Sequence, residues 1–292
     1  MLGEDFVGKE LLYHYTSIET LALILKNKTI CFNNLLNVDD LEEAKSGDLG
    51  NFGKYLNVSC WTADSEESIP LWNLYTPNMH GVRIGLPEFP FKKYHFEKGQ
   101  YGLKENVDTY INLEKIYEES KASIVSTMPE ICKIEYTNDE NKLFPKVREC
   151  NDISALKRYI ETGEKPSKNL QSKCSFELLG KFKKKNWTFQ KEIRYIINCA
   201  PTPVKEFKEN PTSDQQREFF RRIEDENYPA PYEQIFLELD EKCFEEMEIL
   251  IGPKASESEK IIVESLINQY CSKYKSAEEI IEESSLRINR NK

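Results

Sequence analysis

A short run patterned as a buried strand, Leu11 to Tyr15, passes directly into an amphipathic helix pattern. In that pattern, Ile18, Leu21, Ala22 and Leu25 recur at helical spacing until Asn27-Lys28 closes the run. Thr16 and Glu19 have the spacing of a capping box, in which hydroxyl and carboxylate satisfy the first free amides of the helix. A strand followed at once by a helix with one apolar face confines the chain to layered architectures of mixed type.

The rest of the chain fits an α+β class. Strand patterns recur at Thr29 to Phe32, Leu56 to Trp61, Gly81 to Leu86, Trp187 to Asn198, Gln234 to Leu239 and Glu246 to Ile251. Between them, Ser65 to Tyr75 reads as a short helix, Phe176 to Lys185 as a basic helix and Ser213 to Asp225 as a helix within a Pro-bounded charged stretch. Asn33 to Asp40 reads as a polar loop in which Asp39 or Asp40 caps a helix through Ala44. Ser256-x-x-Glu259 is a second capping box, opening a helix with Ile262, Leu266 and Tyr270 on one face. Residues 87–175 are charged and irregular, with helical signals around Thr109 to Thr127 and Ser154 to Glu161, and read as a largely helical insertion. Residues 273–292 read as a frayed tail, so the expectation is one domain over 1–292 carrying one insertion.

Composition narrows the chemistry. A net charge of −10 argues against nonspecific coating of duplex nucleic acid, which needs clustered cations. Eight cysteines are scattered without a C-x-x-C pair, which fits reduced thiols in a cytoplasmic protein. Glu4 and Asp5 replace the basic start of a secretion signal, and no apolar run has the length of a membrane span, so no membrane partner is expected. With histidines only at 14, 80 and 95 and no H-E-x-x-H spacing, no metal is expected. The chain also lacks a G-x-S-x-G elbow and both Gly-rich phosphate loops.

Three separated elements remain. His14 stands at a strand end, Tyr75 on the helix after the third strand pattern, and Glu192 in an otherwise apolar strand. An ionised carboxylate in a core strand needs a partner or a solvated cleft. Strand periodicity sets Gln190, Glu192 and Arg194 on one face, which lines a cleft or forms a structural ion-pair ladder.

Together, Tyr13-His14-Tyr15-Thr16-Ser17, Ser59-Cys60-Trp61-Thr62 with Trp72 and Tyr75 behind it, and Gln190-Lys191-Glu192-Ile193-Arg194 resemble the His, Tyr and Glu motifs of the ADP-ribosyltransferase superfamily. The nearer resemblance is to the bacterial domain-of-unknown-function family 2971, with its Asn-Asp loop like Asn37 to Glu43 and its late Gly-Pro turn like Gly252-Pro253. The first motif also resembles DarT-type toxins that modify DNA. The match covers roughly residues 10–86 and 176–270. It departs from the pattern at Asn37-Val38-Asp39-Asp40, where Asn-Asp-Pro is expected.

The resemblance implies a split, strongly bent sheet around an NAD cleft and NAD as substrate. It implies Glu192 as the catalytic carboxylate and Gln190 as a residue orienting the acceptor. His14, Tyr15, Thr16, Ser59, Trp72 and Tyr75 would bind NAD: His14 through the adenosine-side ribose, the Tyr15 backbone through the nicotinamide amide, and Tyr75 by stacking. Lys183, Lys184, Lys185 and Arg194 would meet a macromolecular acceptor, RNA or DNA slightly before protein. A bacterial toxin or phage-defence role, with a possible antitoxin partner, follows from the family neighbourhood. The rival readings are an NAD glycohydrolase and a non-catalytic interaction module of the same fold. At single residues the rivals are a structural histidine at 14, a core face at Trp72 and Tyr75, and a solvated lysine face at 181–185.

Overall fold

A computed structural model of the protein describes residues 10–165, 169–206 and 212–289. Glu4, Asp5 and the last three residues of the 273–292 tail lie outside the described residues. The chain is α+β, built on a mixed, bent ten-stranded sheet. Strand β1, Leu11–Thr16, feeds helix α1, Ile18–Asn27, which returns through β2, Thr29–Asn34. Ser17, not Thr16, caps α1 by accepting from the Thr20 amide at 3.1 Å, because Thr16 is still paired in β1 opposite Val82. Next come β3, Leu56–Thr62, helix α2, Ile69–Tyr75, and β4, Val82–Pro87.

The 87–175 segment departs from its expected helical character. It holds short helices at Leu113–Glu119, Glu140–Leu143 and Ile153–Thr162, but also several strands, and two of these, the two-residue Ser123–Ile124 and β5 at Glu130–Lys133, belong to the main sheet. Phe176 to Lys185 is not a helix either. Lys183 and Lys184 sit on a three-residue strand, β6 at Phe182–Lys184, which pairs in parallel with Glu135–Thr137, with Lys181 before it and Lys185 after it. Alternation along β6 sends Lys183 inward, which a uniform basic helix face would not do.

The remaining sheet strands are β7, Glu192–Ala200, β8, Gln234–Glu238, β9, Glu248–Ile251, and β10, Ile281–Glu283. Strand β7 begins later than the apolar pattern suggests. Lys185–Gln190 forms 3-10 turns, and Lys191 adopts a left-handed φ of 44° before the strand starts. The expected frayed tail is ordered through β10, which lies parallel to β9, and beyond it Ser284 and Ser285 bind the Glu67 carboxylate.

Strand order runs β8-β2-β3-β1-β4-β9-β10, and β7 covers the second edge of β3 over Leu56 to Thr62. On its first edge β3 has two partners that do not meet. Strand β2 pairs with Asn57 and Val58, while β1 pairs only at Thr62. Between these points Ser59 to Trp61 has no strand on that edge, and the sheet is split there.

Apolar packing holds both sides of the split. One cluster joins Leu21 and Leu25 of α1, Phe32, Ile84, Tyr195, Ile197 and Val263 of the helix Glu257–Tyr270. That helix buries Val263 and Ile267, with Ile262 about half exposed, so its inward face is offset by one residue from the one its spacing suggests. A second cluster joins Leu35, Phe52, Tyr55, Val58 and Ile196, and a third packs Tyr15, Leu71, Trp72 and Met79 with Leu286 and Ile288.

Gly81 fixes the turn into β4 by close approach: a Cβ there would stand 2.5 Å from the Thr16 carbonyl oxygen and 2.6 Å from Thr76 Cβ. Gly81→Ala should cost about 1–3 kcal/mol, since neither backbone nor β-branched neighbour can yield cheaply. Urea unfolding of the two proteins checks this, and an unchanged midpoint would show that the turn has slack.

Candidate active site

The split in the sheet is the mouth of a cleft of about 590 Å³, within the usual range of small-molecule sites. Its walls come from β1 (His14, Tyr15, Thr16), α1 (Thr20, Leu23, Asn27), β2 (Cys31, Asn33), β3 (Ser59, Cys60), Tyr75 of α2, Lys183 and Glu192. A smaller recess of about 60 Å³ continues inward between His14, Tyr15, Thr62, Leu71, Tyr75, Gln190 and Glu192.

His14 sits where β1 and β2 part, and its Nδ1 lies 2.8 Å from the Cys60 carbonyl oxygen. A carbonyl only accepts, so Nδ1 carries the proton and Nε2 is left as a bare acceptor. Burial lowers the His14 pKa below its ordinary 6.5, against the opposing pull of the Cys60 carbonyl, and favours this neutral form. The histidine thereby replaces the strand partner that Cys60 lacks.

Glu192 opens β7 beside a buried cluster of charge. Its Oε2 accepts from Lys183 Nζ at 2.7 Å and its Oε1 from Arg194 Nε at 2.8 Å. Glu43 closes the set: Arg194 Nη1 lies 2.7 Å from its Oε2 and Lys183 Nζ 3.0 Å from its Oε1. All four side chains are buried, and two carboxylates balance two cations. Burial alone would raise the Glu192 pKa, but Arg194 and Lys183 outweigh it and hold the carboxyl well below its ordinary value. The same attraction keeps Lys183 above its ordinary value despite burial. Burial and the nearby Glu192 push the Cys60 thiol up, so it stays protonated and is no nucleophile.

Gln190 reaches the site from the 3-10 turns and not from a strand face. Its Oε1 accepts from Lys183 at 2.8 Å and its Nε2 donates to the Tyr75 hydroxyl at 2.5 Å. Burial, then the nearby Asp39 carboxylate, raise the Tyr75 pKa, so the phenol keeps its proton. Tyr75, Gln190, Lys183 and Glu192 thus form one connected hydrogen-bonded chain.

Several expected assignments are corrected. Trp72 is fully buried and does not line the cleft; its ring meets Tyr15 edge-on at 4.8 Å and its Nε1 donates to Glu67 at 3.1 Å. Arg194 is completely buried and lines neither the cleft nor its recess, while Lys183, nearly as buried, reaches the cleft only at its wall and is held by Glu43, Gln190 and Glu192. Lys184 is ion-paired to Glu42, and its neighbours Lys181 and Lys191 to Glu130 and Asp64; Lys185 is exposed. Ser59 lines the cleft while its hydroxyl accepts from Trp61 Nε1 at 2.9 Å. After β2, Asp40 accepts from the Glu42 amide at 3.1 Å at the head of a turn over 41–44 and not of the expected helix. Asn37 bonds Glu233, Asp39 lines the cleft with Tyr75, Glu42 pairs with Lys184 and Glu43 enters the ion cluster.

Glu43 and Asp39 are the site residues that sequence reasoning missed. The available signal was charge balance: two inward cations at 183 and 194 cannot be satisfied by Glu192 alone. Among the described residues no group of His, Cys, Asp and Glu is arranged to hold a metal, and no helix is long and apolar enough to cross a membrane. Compared with protein-family models, curated proteins and solved structures, the chain gives no match.

Two outcomes follow from the ion cluster. Arg194→Met, which leaves two buried carboxylates facing one lysine, should cost about 3–5 kcal/mol in urea unfolding; a loss under about 1 kcal/mol would mean that water enters the cluster. The second concerns acid. Because the folded-state pKa of Glu192 is depressed, its contribution is fully present above its ordinary value of 4.5, declines below it, and is gone once pH falls through the folded value. Glu192→Gln should therefore flatten the fall in stability between about pH 5 and pH 3, measured by urea midpoints across that range; parallel curves for the two proteins would overturn this.

Proposed function

We propose that the protein is an NAD-dependent ADP-ribosyltransferase with an ADP-ribosyltransferase-like split sheet. The observation that carries this reading is that His14, Tyr75 and Glu192, from three separate elements, line one cleft at the split. On this reading NAD lies along the split with nicotinamide in the inner recess. The neutral His14 accepts a ribose hydroxyl at Nε2, Tyr75 covers the nicotinamide ring, and Glu192 accepts a hydroxyl of the second ribose.

The bond from ribose C1′ to the nicotinamide nitrogen breaks, and nicotinamide leaves with the bonding electrons. Positive charge then develops on the sugar, where a fixed carboxylate stabilises it. Glu192 Oε1 already meets both Nε and Nη2 of Arg194, whereas Oε2 accepts from Lys183 and has a second lone pair for a ribose hydroxyl. Lys183 and Arg194 keep it ionised and in one orientation at the cost of diluting its field. An acceptor nucleophile then forms its bond to C1′ and gives up its proton to solvent.

The acceptor is a macromolecule of the bacterial cytoplasm, RNA or DNA before protein, in keeping with a toxin or phage-defence effector held in check by an antitoxin. A second reading, NAD glycohydrolase with water as acceptor, is favoured by one observation. Lys181, Lys184 and Lys191 are neutralised by carboxylates, which removes most of the basic surface that would guide a polyanion.

Incubation with labelled NAD and whole-cell lysate, followed by separate nuclease and protease digestion, distinguishes the readings. Label lost to nuclease supports nucleic-acid transfer, and nicotinamide release without label supports the hydrolase. No NAD binding together with a tight protein partner would leave only a non-catalytic module. Glu192→Gln should lower nicotinamide release at least about 100-fold, and His14→Ala should weaken NAD binding about tenfold. Because His14 is already neutral, NAD affinity should stay flat from pH 8 down through about 6.5. Full activity in Glu192→Gln would sink the proposal.

A further inference from the structure

Away from Glu192 the cleft ends on an outer shelf formed by β2 and β8. Residues on one face of a strand alternate, so Cys31 and Asn33 point the same way, as do Gln234 and Phe236. The register sets Asn33 opposite Gln234 and Cys31 opposite Phe236, and all four line the cleft. Phe236 is 44 % exposed, an uncommon state for an aromatic ring on a sheet strand. Across from this shelf stand Leu23, which is 58 % exposed, and Asn27 of α1.

The two amides are already set against one another. Gln234 Nε2 donates to Asn33 Oδ1 at 3.0 Å, and Cys31 Sγ also leans on that oxygen at 3.6 Å. This fixes both amide planes. It also leaves Asn33 Nδ2, a donor, and Gln234 Oε1, an acceptor, without a partner among the described residues. A donor beside an acceptor, next to an aromatic ring that lines the cleft and carries the Lys115 ammonium 5.9 Å from its centroid, matches one ligand class well. Adenine offers an N–H donor at N6 beside an acceptor ring nitrogen, and its flat ring stacks on Phe. A pyrimidine has less surface to stack, and uracil carries no exocyclic N–H donor beside a ring acceptor.

We propose that Asn33, Gln234 and Phe236 form an adenine-reading shelf. The proposal goes beyond the NAD reading and does not need turnover, because a free adenine nucleotide suffices to test it. The adenine has two sources, NAD itself or a base of a single-stranded acceptor.

Calorimetry with adenosine 5′-monophosphate and uridine 5′-monophosphate tests the shelf on the full chain. The adenine nucleotide should bind at least about tenfold more tightly, and Phe236→Ala should weaken it by about tenfold. Asn33→Asp, which turns the donor into an acceptor, should abolish the preference for adenine. These are exposed side chains, so both variants should keep the wild-type melting temperature. If Phe236→Ala weakens NAD by the same factor, the shelf holds the adenine of NAD; if it spares NAD and weakens a single-stranded oligoadenylate, it holds an acceptor base. Equal binding of the two nucleotides, or variants that bind like wild type, would overturn the shelf. Absence of nicotinamide release from the wild type would sink the proposed reaction and leave the shelf standing.

Discussion

Everything near the cleft depends on the balance of charge among Glu43, Lys183, Glu192 and Arg194. Each of these groups would be costly to bury alone, and only their mutual contacts make the interior position tolerable. The four come from a loop, a short strand and β7, parts of the chain whose apolar residues Ala44, Leu179 and Ile196 share one hydrophobic cluster, and the ion pairs join them a second time. It also settles what Glu192 is: an anion with a fixed direction at the edge of a cavity. Replacing the cluster by hydrocarbon would gain stability in many proteins. That an ionic solution stands at the floor of a cleft is therefore a feature that stability alone does not explain.

The split in the sheet supplies the second condition. A strand edge left open exposes backbone carbonyls, and the His14 side chain answers one of them at Cys60. The ring is thereby held in one tautomer at the place where a ligand would enter. The opening is kept by packing on both sides, with α1 pressed on one cluster and Trp72 with Tyr15 on another. Neither β1 nor β2 can slide across Ser59 to Trp61 without dismantling these contacts.

Much of this was legible in the residues. The junction of β1 and α1, the positions of β3, β4, β8 and β9, and the cap at Ser256 all follow from local pattern and hydrogen-bonding need. Glu192 stood out as a carboxylate in an apolar strand and His14 as a rare residue at a strand end, while Tyr75, unremarkable on its helix face, was picked out by the order of the motifs. The failures share a physical cause. Lys183 looked solvated because a lysine run is usually read as a helix, whereas a three-residue strand turns one side chain inward. Gln190 was placed on a strand that begins two residues later, after Lys191 turns the backbone left-handed. Glu43 and β5 were hidden because their partners lie far along the chain, where no local pattern records them. The Thr16 cap shifted by one residue because sheet pairing claimed Thr16 first.

The contact of Ser284 and Ser285 with Glu67 has a consequence in time. Glu67 also receives Trp72 Nε1, and Leu286 and Ile288 press on the same cluster, so the helix that presents Tyr75 is braced by a segment made more than two hundred residues later. Synthesis runs from the N-terminus, and a growing chain can assemble β1, α1 and β3 long before that brace exists. One wall of the cleft thus stays unbuttressed until β10 has joined β9. The wall that carries Tyr75 is therefore completed only when residues 281–288 have docked on strands and helices made long before them.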